Sequence, residues 1–263
     1  MSLKIAIDAG HGVHTAGKRC MKKIDSNETR EWTLNDRIAD TVEALLKNYE
    51  CDVLRTDDTT GAKDVSLANR VKSANNWKAD VFISIHHNAG INGKSGGGTV
   101  IYYCSSKAER VNQAKELYNC LVDMTGLKGD RKTTTFNYGY YVIKKTTMPA
   151  FLIENGFMDS TTDVPIILTE EHATKTAEGI LNFLISQFNL TKKKEVIPPS
   201  ESFRVKIKVN ALRYRSGAGT MYSINGLVRK GEVYTIVETK GSWGKLKSGA
   251  GWINISNSYA TRL

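Results

Sequence analysis

The sequence predicts an α/β fold for its larger part: a mostly parallel, twisted sheet flanked by helices, followed by a small all-β module. Two observations carry the first half of that reading. Apolar strand-length runs alternate with helix-length amphipathic segments from Leu3 to Phe188, the grammar of layered βα units. The segment Asp80 to Ile85 is a continuous apolar run, as expected of a central strand covered on both faces. A third observation carries the second half. After residues 189–201 (NLTKKKEVIPPSE), which have a linker's composition, the pattern changes to short strand-like pieces punctuated by Gly and Ser. The expected boundaries are residues 1–188, a linker over 189–201, and residues 202–263.

The first strand is carried by Leu3, Ile5 and Ile7, and it ends in the polar, glycine-flanked cluster Asp8-Ala9-Gly10-His11-Gly12. A polar stretch over 15–27 is too irregular for a regular element. Glu28 to Tyr49 reads as an amphipathic helix with Trp32, Ile38, Val42, Leu45 and Leu46 on its apolar stripe and Asn27 as its N-cap. A short strand over Cys51–Thr56 and a helix over Ser66–Trp77 follow. Gly96-Gly97-Gly98 precede a strand over Thr99–Tyr103, and Ala108 to Met124 reads as a helix. Residues 126–137 are expected in a loop. Tyr140–Ile143 and Ala150–Ile153 are expected as strands, the second ending in Glu154-Asn155-Gly156, and Glu170–Phe188 closes the first module as a helix.

Charge divides the chain in the same place. Residues 1–185 hold 23 basic and 23 acidic side chains, whereas 201–263 hold 11 Lys and Arg against three Glu. A neutral module joined to one of net +8 implies two units with different partners. Cys20, Cys51, Cys104 and Cys120 are scattered without a CxxC pair, which points to reduced structural thiols. No run of about 18 apolar residues occurs, so no membrane partner is expected. Met1-Ser2-Leu3-Lys4 leads straight into a strand, so the expectation is synthesis in the cytoplasm without a secretory signal peptide. A basic helix, a zinc-finger pattern and an aromatic RNA-binding motif are all lacking, so nucleic acid is not expected as a partner.

Three apolar strands end in side chains suited to metal or proton chemistry: His11, His86 and Glu154. Ligands of open α/β sheets sit at the carboxyl ends of the strands. Glu28, at the start of the first helix, returns to that end. Two imidazoles and a carboxylate form the usual ligand set of a catalytic zinc, with one position left for water. Singly, each residue reads as well as a satisfied polar group or a helix-dipole charge. It is their joint placement that favours a metal site. A metallocarboxypeptidase-type site wants a compact His-x-x-Glu pair, which the step from His11 to Glu28 does not supply.

IDAGHG at Ile7–Gly12, Glu28, SLANRVKSAN at Ser66–Asn75, FISIHHNA at Phe82–Ala89 and FLIENGFMDS at Phe151–Ser160 together resemble the zinc-dependent N-acetylmuramoyl-L-alanine amidases of the amidase-3 class. The resemblance runs over roughly residues 1–187. It implies Zn²⁺ held by His11, Glu28 and His86, with Asp25 and Glu31 as rivals of Glu28, and Glu154 as the catalytic carboxylate. It also implies bacterial peptidoglycan as substrate. Val209–Ile253, with LRYRSGAGT, the Val-Arg-Lys-Gly-Glu hairpin, Trp243 and Trp252, is similar to a bacterial SH3-type domain. That likeness implies a small SH3-like barrel that binds the cell wall, with Arg213, Tyr214, Arg215, Tyr222, Trp243 and Trp252 as candidate contacts and anionic wall polymers as possible ligands. Together the two resemblances imply a phage endolysin acting at the cell wall, with a bacterial autolysin or sporulation amidase as the alternative.

Overall fold

Strand β1 (Leu3–Ala9) lies inside a six-stranded sheet, hydrogen-bonded in parallel to β2 (Cys51–Arg55) on one edge and β3 (Val81–Asn88) on the other. A computed structural model describes residues 2–193 and 202–263, and the chain divides into two compact units, Met1–Lys193 and Lys194–Leu263. Beyond β3 the sheet continues through β6 (Ala150–Phe157), β4 (Thr99–Tyr103) and β5 (Thr135–Asn137). β3 and β6 are parallel, β4 runs antiparallel to β6, and β5 is parallel to β4. The sheet is therefore mostly parallel, as the alternation of elements predicts.

The period-two alternation of the strands sorts side chains onto two faces. Ile5, Ile7, Ile83, Ile85, Phe151 and Ile153 pack against helices α1 (Glu31–Leu46), α3 (Ala108–Thr125) and α6 (Glu170–Phe188). Ala6, Phe82 and Leu152 pack on the other face against α2 (Leu67–Trp77) and α4 (Tyr141–Lys145). Each fully buried Ile or Phe contributes about 1.5–3 kcal/mol of transfer free energy, so a one-residue register slip in β3 or β6 is strongly disfavoured. The same alternation puts Asp8, Ser84, His86 and Glu154 on the α2/α4 face and His87 on the opposite one. Helix α5 (Val164–Ile167) completes this unit. Among the described residues no helix is long and apolar enough to cross a membrane. All four cysteines are free thiols.

Four local expectations are corrected. The first helix starts at Glu31 rather than Glu28. The Asp25 carboxylate accepts from the backbone N–H groups of Asn27 and Thr29 and closes a turn there, and Glu28 takes a left-handed φ of 49°. Within the expected loop 126–137, Thr135–Asn137 forms the edge strand β5. The expected strand over Tyr140–Ile143 is instead the short helix α4, which buries Val142 and Ile143. Finally, residues 189–193 belong to the first unit: Leu190 is buried, Thr191 O accepts from Glu50 N, and Lys193 N donates to Asn48 O. The remainder of the expected linker, residues 194–201, lies outside the described residues.

The second unit is a seven-stranded sheet in which every pair is antiparallel. In chain order its strands are β7 (Phe203–Ile207), β8 (Ala211–Arg215), β9 (Ile224–Arg229), β10 (Val233–Lys240), β11 (Trp243–Leu246), β12 (Trp252–Asn254) and β13 (Ala260–Arg262). Their spatial order is β13-β7-β10-β11-β12-β8-β9. Val205, Ile207, Leu212, Val228, Ile236, Leu246, Ile253 and Ala260 form its core.

Candidate metal and catalytic site

The carboxyl ends of β1, β3 and β6 and the amino end of α1 converge. Beyond β1 the chain turns at His11, whose φ of 69° lies in the left-handed region that non-glycine residues seldom adopt. Two contacts fix that turn. Gly10 N donates to Ile85 O at 2.9 Å, and Asn35 Nδ2 donates to Gly10 O at 3.1 Å. Gly10 itself is required by packing: a Cβ there would lie 2.0 Å from Cε1 of His86, so only glycine lets the imidazole lie across the end of β1.

A buried guanidinium stands behind the turn. Arg70, on α2, is 1% exposed. Its Nη1 donates to Asp8 Oδ1 and to Ala9 O, both at 2.7 Å, and its Nη2 donates to His11 O at 2.9 Å. Nε donates to Val65 O at 2.7 Å. Burial works to raise the Asp8 carboxyl, but the charge and hydrogen bonds of Arg70 and the hydroxyl of Ser84 hold it below the usual carboxylate range.

Glu31, on the first turn of α1, is the carboxylate brought between the histidines. Its Oε1 is 3.0 Å from His86 Nδ1 and 3.3 Å from His11 Nε2, and it also accepts from His87 N at 3.3 Å. One ligand atom from each of His11, Glu31 and His86 lies within 4.8 Å of the other two. The Glu31 side chain is 1% exposed, against 20% for His11 and 16% for His86. Burial works to raise the Glu31 carboxyl, yet the hydrogen bonds and charge of the two imidazoles hold it well below the carboxylate range. For His86 burial acts to lower the imidazole, and the bond and charge of Glu31 override it and raise it.

Glu28, expected as the third ligand, is not brought to this cluster. Its carboxylate pairs with Arg19 at 3.3 Å and Lys22 at 3.8 Å. Asp25 is likewise occupied by its own turn. Glu31 was recoverable from the sequence, because it falls on the i, i+3, i+4, i+7, i+11 stripe with Leu34, Asn35, Ile38 and Val42. His87 points away, with its Nδ1 2.8 Å from Asn35 Oδ1. His172 is buried in α6, and His14 is exposed.

Glu154 stands beside His86 in the β3–β6 register. Its Oε2 is buried without a hydrogen-bond partner, as is Oε2 of Glu31. Burial pushes the Glu154 carboxyl up to about 8, against the opposing charge of His86. His11, Glu31, His86 and Glu154 all line one groove of about 550 Å³, which Lys18, Tyr140 and Tyr141 line as well. Two buried carboxylate oxygens without a hydrogen bond, Glu154 Oε2 and Glu31 Oε2 (the latter only 3.7 Å from Lys18 Nζ), beside two imidazoles fit a divalent cation, and the donor set is the mixed N/O set zinc takes.

In the second unit the six candidate contacts are spread along four segments. Trp243, Lys245 and Trp252 share the outer face of β11 and β12, while Gly244, Leu246 and Ile253 face inward. Lys245 Nζ lies over the Trp252 ring at 5.8 Å. Arg213 is exposed, Arg215 Nη1 donates to Tyr222 O at 2.7 Å, and Tyr222 is 42% exposed. The Tyr214 ring covers Gly226, where a Cβ would meet it at about 2.5 Å.

The family profile described as N-acetylmuramoyl-L-alanine amidase (Amidase_3) matches residues 5–186. The sporulation-specific N-acetylmuramoyl-L-alanine amidase of Bacillus subtilis is 32% identical over 224 residues, covering 84% of this chain and 80% of the relative. The endolysin of Bacillus phage SPP1 is 30% identical over 197 residues, covering 73% of this chain and 69% of that protein. Among solved structures, an N-acetylmuramoyl-L-alanine amidase from Clostridium difficile 630 superposes with a TM-score of 0.63 at 27% identity, covering 72% of this chain and 97% of that one.

Proposed function

The chain belongs to the N-acetylmuramoyl-L-alanine amidase family, and from that premise we propose a zinc-dependent mechanism in which His11, Glu31 and His86 hold the ion and Glu154 moves the proton. As a member of that family the enzyme hydrolyses the amide between N-acetylmuramic acid and L-alanine in bacterial peptidoglycan. The observation that carries the mechanism is the three-atom ligand cluster with the unpartnered oxygen of Glu154 beside it.

Zinc in such a site acts as a Lewis acid and makes water nucleophilic near neutral pH. The chain's own residues do the rest. Glu31, anchored by the first turn of α1, stays ionised and is the anionic ligand. Arg70 and Asn35 hold the carbonyls on either side of His11, so its imidazole is presented without a search over loop conformers. Burial holds Glu154 above the ordinary carboxylate range, and a bound cation would bring that value back down, so that the group is poised near neutral pH. A carboxyl poised there takes a proton from the attacking water and returns it to the departing L-alanine nitrogen.

The second unit supports a wall-binding role in an SH3-like module. Its outer face carries Trp243, Lys245 and Trp252, and it has eight more positive than negative charges, which suits anionic wall polymers. The similarity to a phage endolysin supports an endolysin that acts at the cell wall. A sporulation amidase of the same chemistry is favoured by the relative from Bacillus subtilis. Equal amounts of vegetative-wall and spore-cortex peptidoglycan offered to the enzyme separate the two by rate.

The test of the mechanism is digestion of purified peptidoglycan with and without a chelator. New L-alanine amino groups without new reducing ends, abolished by chelation and restored by Zn²⁺, are expected. Glu154→Gln should retain about one zinc per chain while kcat falls by roughly 10²–10⁴. Undiminished release by that variant, or by the chelated enzyme, would overturn the assignment.

A further inference from the structure

An aromatic strip leads away from Glu154 across the same face of the sheet. Val100 pairs with Glu154 and Tyr102 with Leu152 in the β4–β6 register, so Tyr102 stands on the face that carries Leu152 and Glu154. Phe136 of β5 pairs with Tyr102, their ring centroids 5.5 Å apart and stacked. Tyr140 meets Tyr102 edge-on at 5.0 Å, and Tyr138 packs on Tyr140 at 4.6 Å. Tyr138 is 57% exposed, Tyr140 38% and Tyr141 43%. Tyr140 and Tyr141 line the groove that holds the ligand cluster and Glu154. Contiguous exposed aromatics at the mouth of a site mark a binding surface; Tyr102 packs against the core cluster of Ala6, Phe82 and Leu152, while Phe136, Tyr138 and Tyr140 belong to none of the core clusters of the described residues.

We propose that Tyr102, Phe136, Tyr138 and Tyr140 form the subsite for the glycan strand of the substrate. This rests on the amidase reading, since it takes the scissile amide to lie between the strip and Lys18. The bond to be cut joins an uncharged saccharide to a peptide that ends in a carboxylate. The lining of the groove offers a match for each: Lys18, whose Nζ is 3.7 Å from Glu31, and the phenol rings of Tyr140 and Tyr141, the first of which packs on Tyr102. A pyranose presents a face of weakly polarised C–H groups, which complements the negative face of an aromatic ring, and its hydroxyls bond to phenol oxygens. The glycan therefore runs toward β4 and β5, and the peptide toward the loop before α1.

The two products, peptide-free glycan strands and free stem peptide, are the probes, measured by titration calorimetry on the zinc-loaded full chain. Tyr138→Ala and Tyr140→Ala should each weaken glycan binding about three- to ten-fold, the scale of one aromatic contact. Stem-peptide binding and zinc content should not change, and Tyr140→Phe should keep most of the glycan affinity. Loss of peptide binding instead would place the peptide on the strip, and unchanged glycan binding in both alanine variants would remove the subsite; either result overturns the proposal. Failure of the amidase reading shows separately, as wild-type enzyme that releases no L-alanine amino groups from peptidoglycan.

Discussion

Replacing Arg70 by Met tests whether the turn at His11 is held by the guanidinium or by the strand alone. The side chain is 1% exposed and its donors reach Asp8, Ala9 O, His11 O and Val65 O at 2.7–2.9 Å. Methionine preserves most of the stem volume but strands the Asp8 carboxylate in the interior, with only Ser84 Oγ at 2.7 Å and Thr56 Oγ1 at 2.9 Å as partners. Breaking one side of a buried ion pair costs about 3–5 kcal/mol. For a unit of this size that lowers Tm by roughly 6–20 °C. Calorimetry on the full chain reads it as the transition that moves while the other stays. Because the penalty comes from a lone charge, Asp8→Asn added to Arg70→Met should recover part of it, a coupling of about 1–3 kcal/mol. The pH dependence has a defined sign. The folded-state value of Asp8 is depressed, so its contribution to wild-type stability is present above the ordinary unfolded value of about 4 and is lost as pH falls through the depressed one. In Arg70→Met the guanidinium is gone and burial raises the carboxyl. The gap between the two proteins should then begin to narrow as pH falls through the variant's raised value, above about 4, and go on narrowing below about 4 as the wild type loses its own share. Zinc affinity should fall as well, since His11 O loses its donor. A variant within about 1 kcal/mol of wild type, or one with wild-type zinc affinity, would refute the clamp.

Two further outcomes separate neighbouring residues. Glu31→Gln should lose zinc at micromolar chelator, whereas Glu28→Gln, whose partners are Arg19 and Lys22 on the surface, should keep both metal and activity and shift stability by no more than about 1 kcal/mol; metal analysis after dialysis decides between them. In the second unit, Trp243→Ala with Trp252→Ala should cut sedimentation of the protein with purified cell walls several-fold without moving its thermal transition by more than a few degrees, because Gly244, Leu246 and Ile253, not the indoles, face the core. Full wall binding by the double variant would take those side chains out of the contact surface.

His11, His86 and Glu154 were legible because each ends an apolar strand, and strand polarity in a parallel sheet sends all such ends to one edge. Five of the sheet's six strands, all but β5, followed from the same alternation. What escaped was decided by competition between short-range signals. Tyr140–Ile143 carries β-favouring side chains, yet Val142 and Ile143 are adjacent and both buried. A strand would have sent one of them to each face, whereas a single helical turn packs both against α2. The three-residue edge strand β5 was too short to be distinguished from its polar surroundings. Since Phe136 and Tyr140 come from these two misread segments, the aromatic strip could not be seen before the fold was known.

The third ligand shows the same competition at its sharpest. Residues 25–31 offer Asp25, Glu28 and Glu31, and Asn27 looked like the N-cap that would place Glu28 on the first turn. Asp25 instead satisfies the N–H groups of Asn27 and Thr29, and Arg30 stands at the N-cap with no side-chain bond to the helix. A helix without a side-chain cap leaves its first N–H groups to other partners, and here Glu31 N donates to Lys18 O at 3.0 Å. Helix α1 thus begins where tertiary contact requires it, at the residue whose carboxylate is centred on its own apolar stripe and aimed at His11 and His86. Burial phase, not capping chemistry, places Glu31 rather than Glu28 beside the two imidazoles. A buried glutamate at the head of a stripe that is apolar but for Asn35 bears a desolvation cost that its bonds to the two imidazoles and His87 N must offset, and its Oε2, left without a hydrogen bond, favours a cation as the further partner.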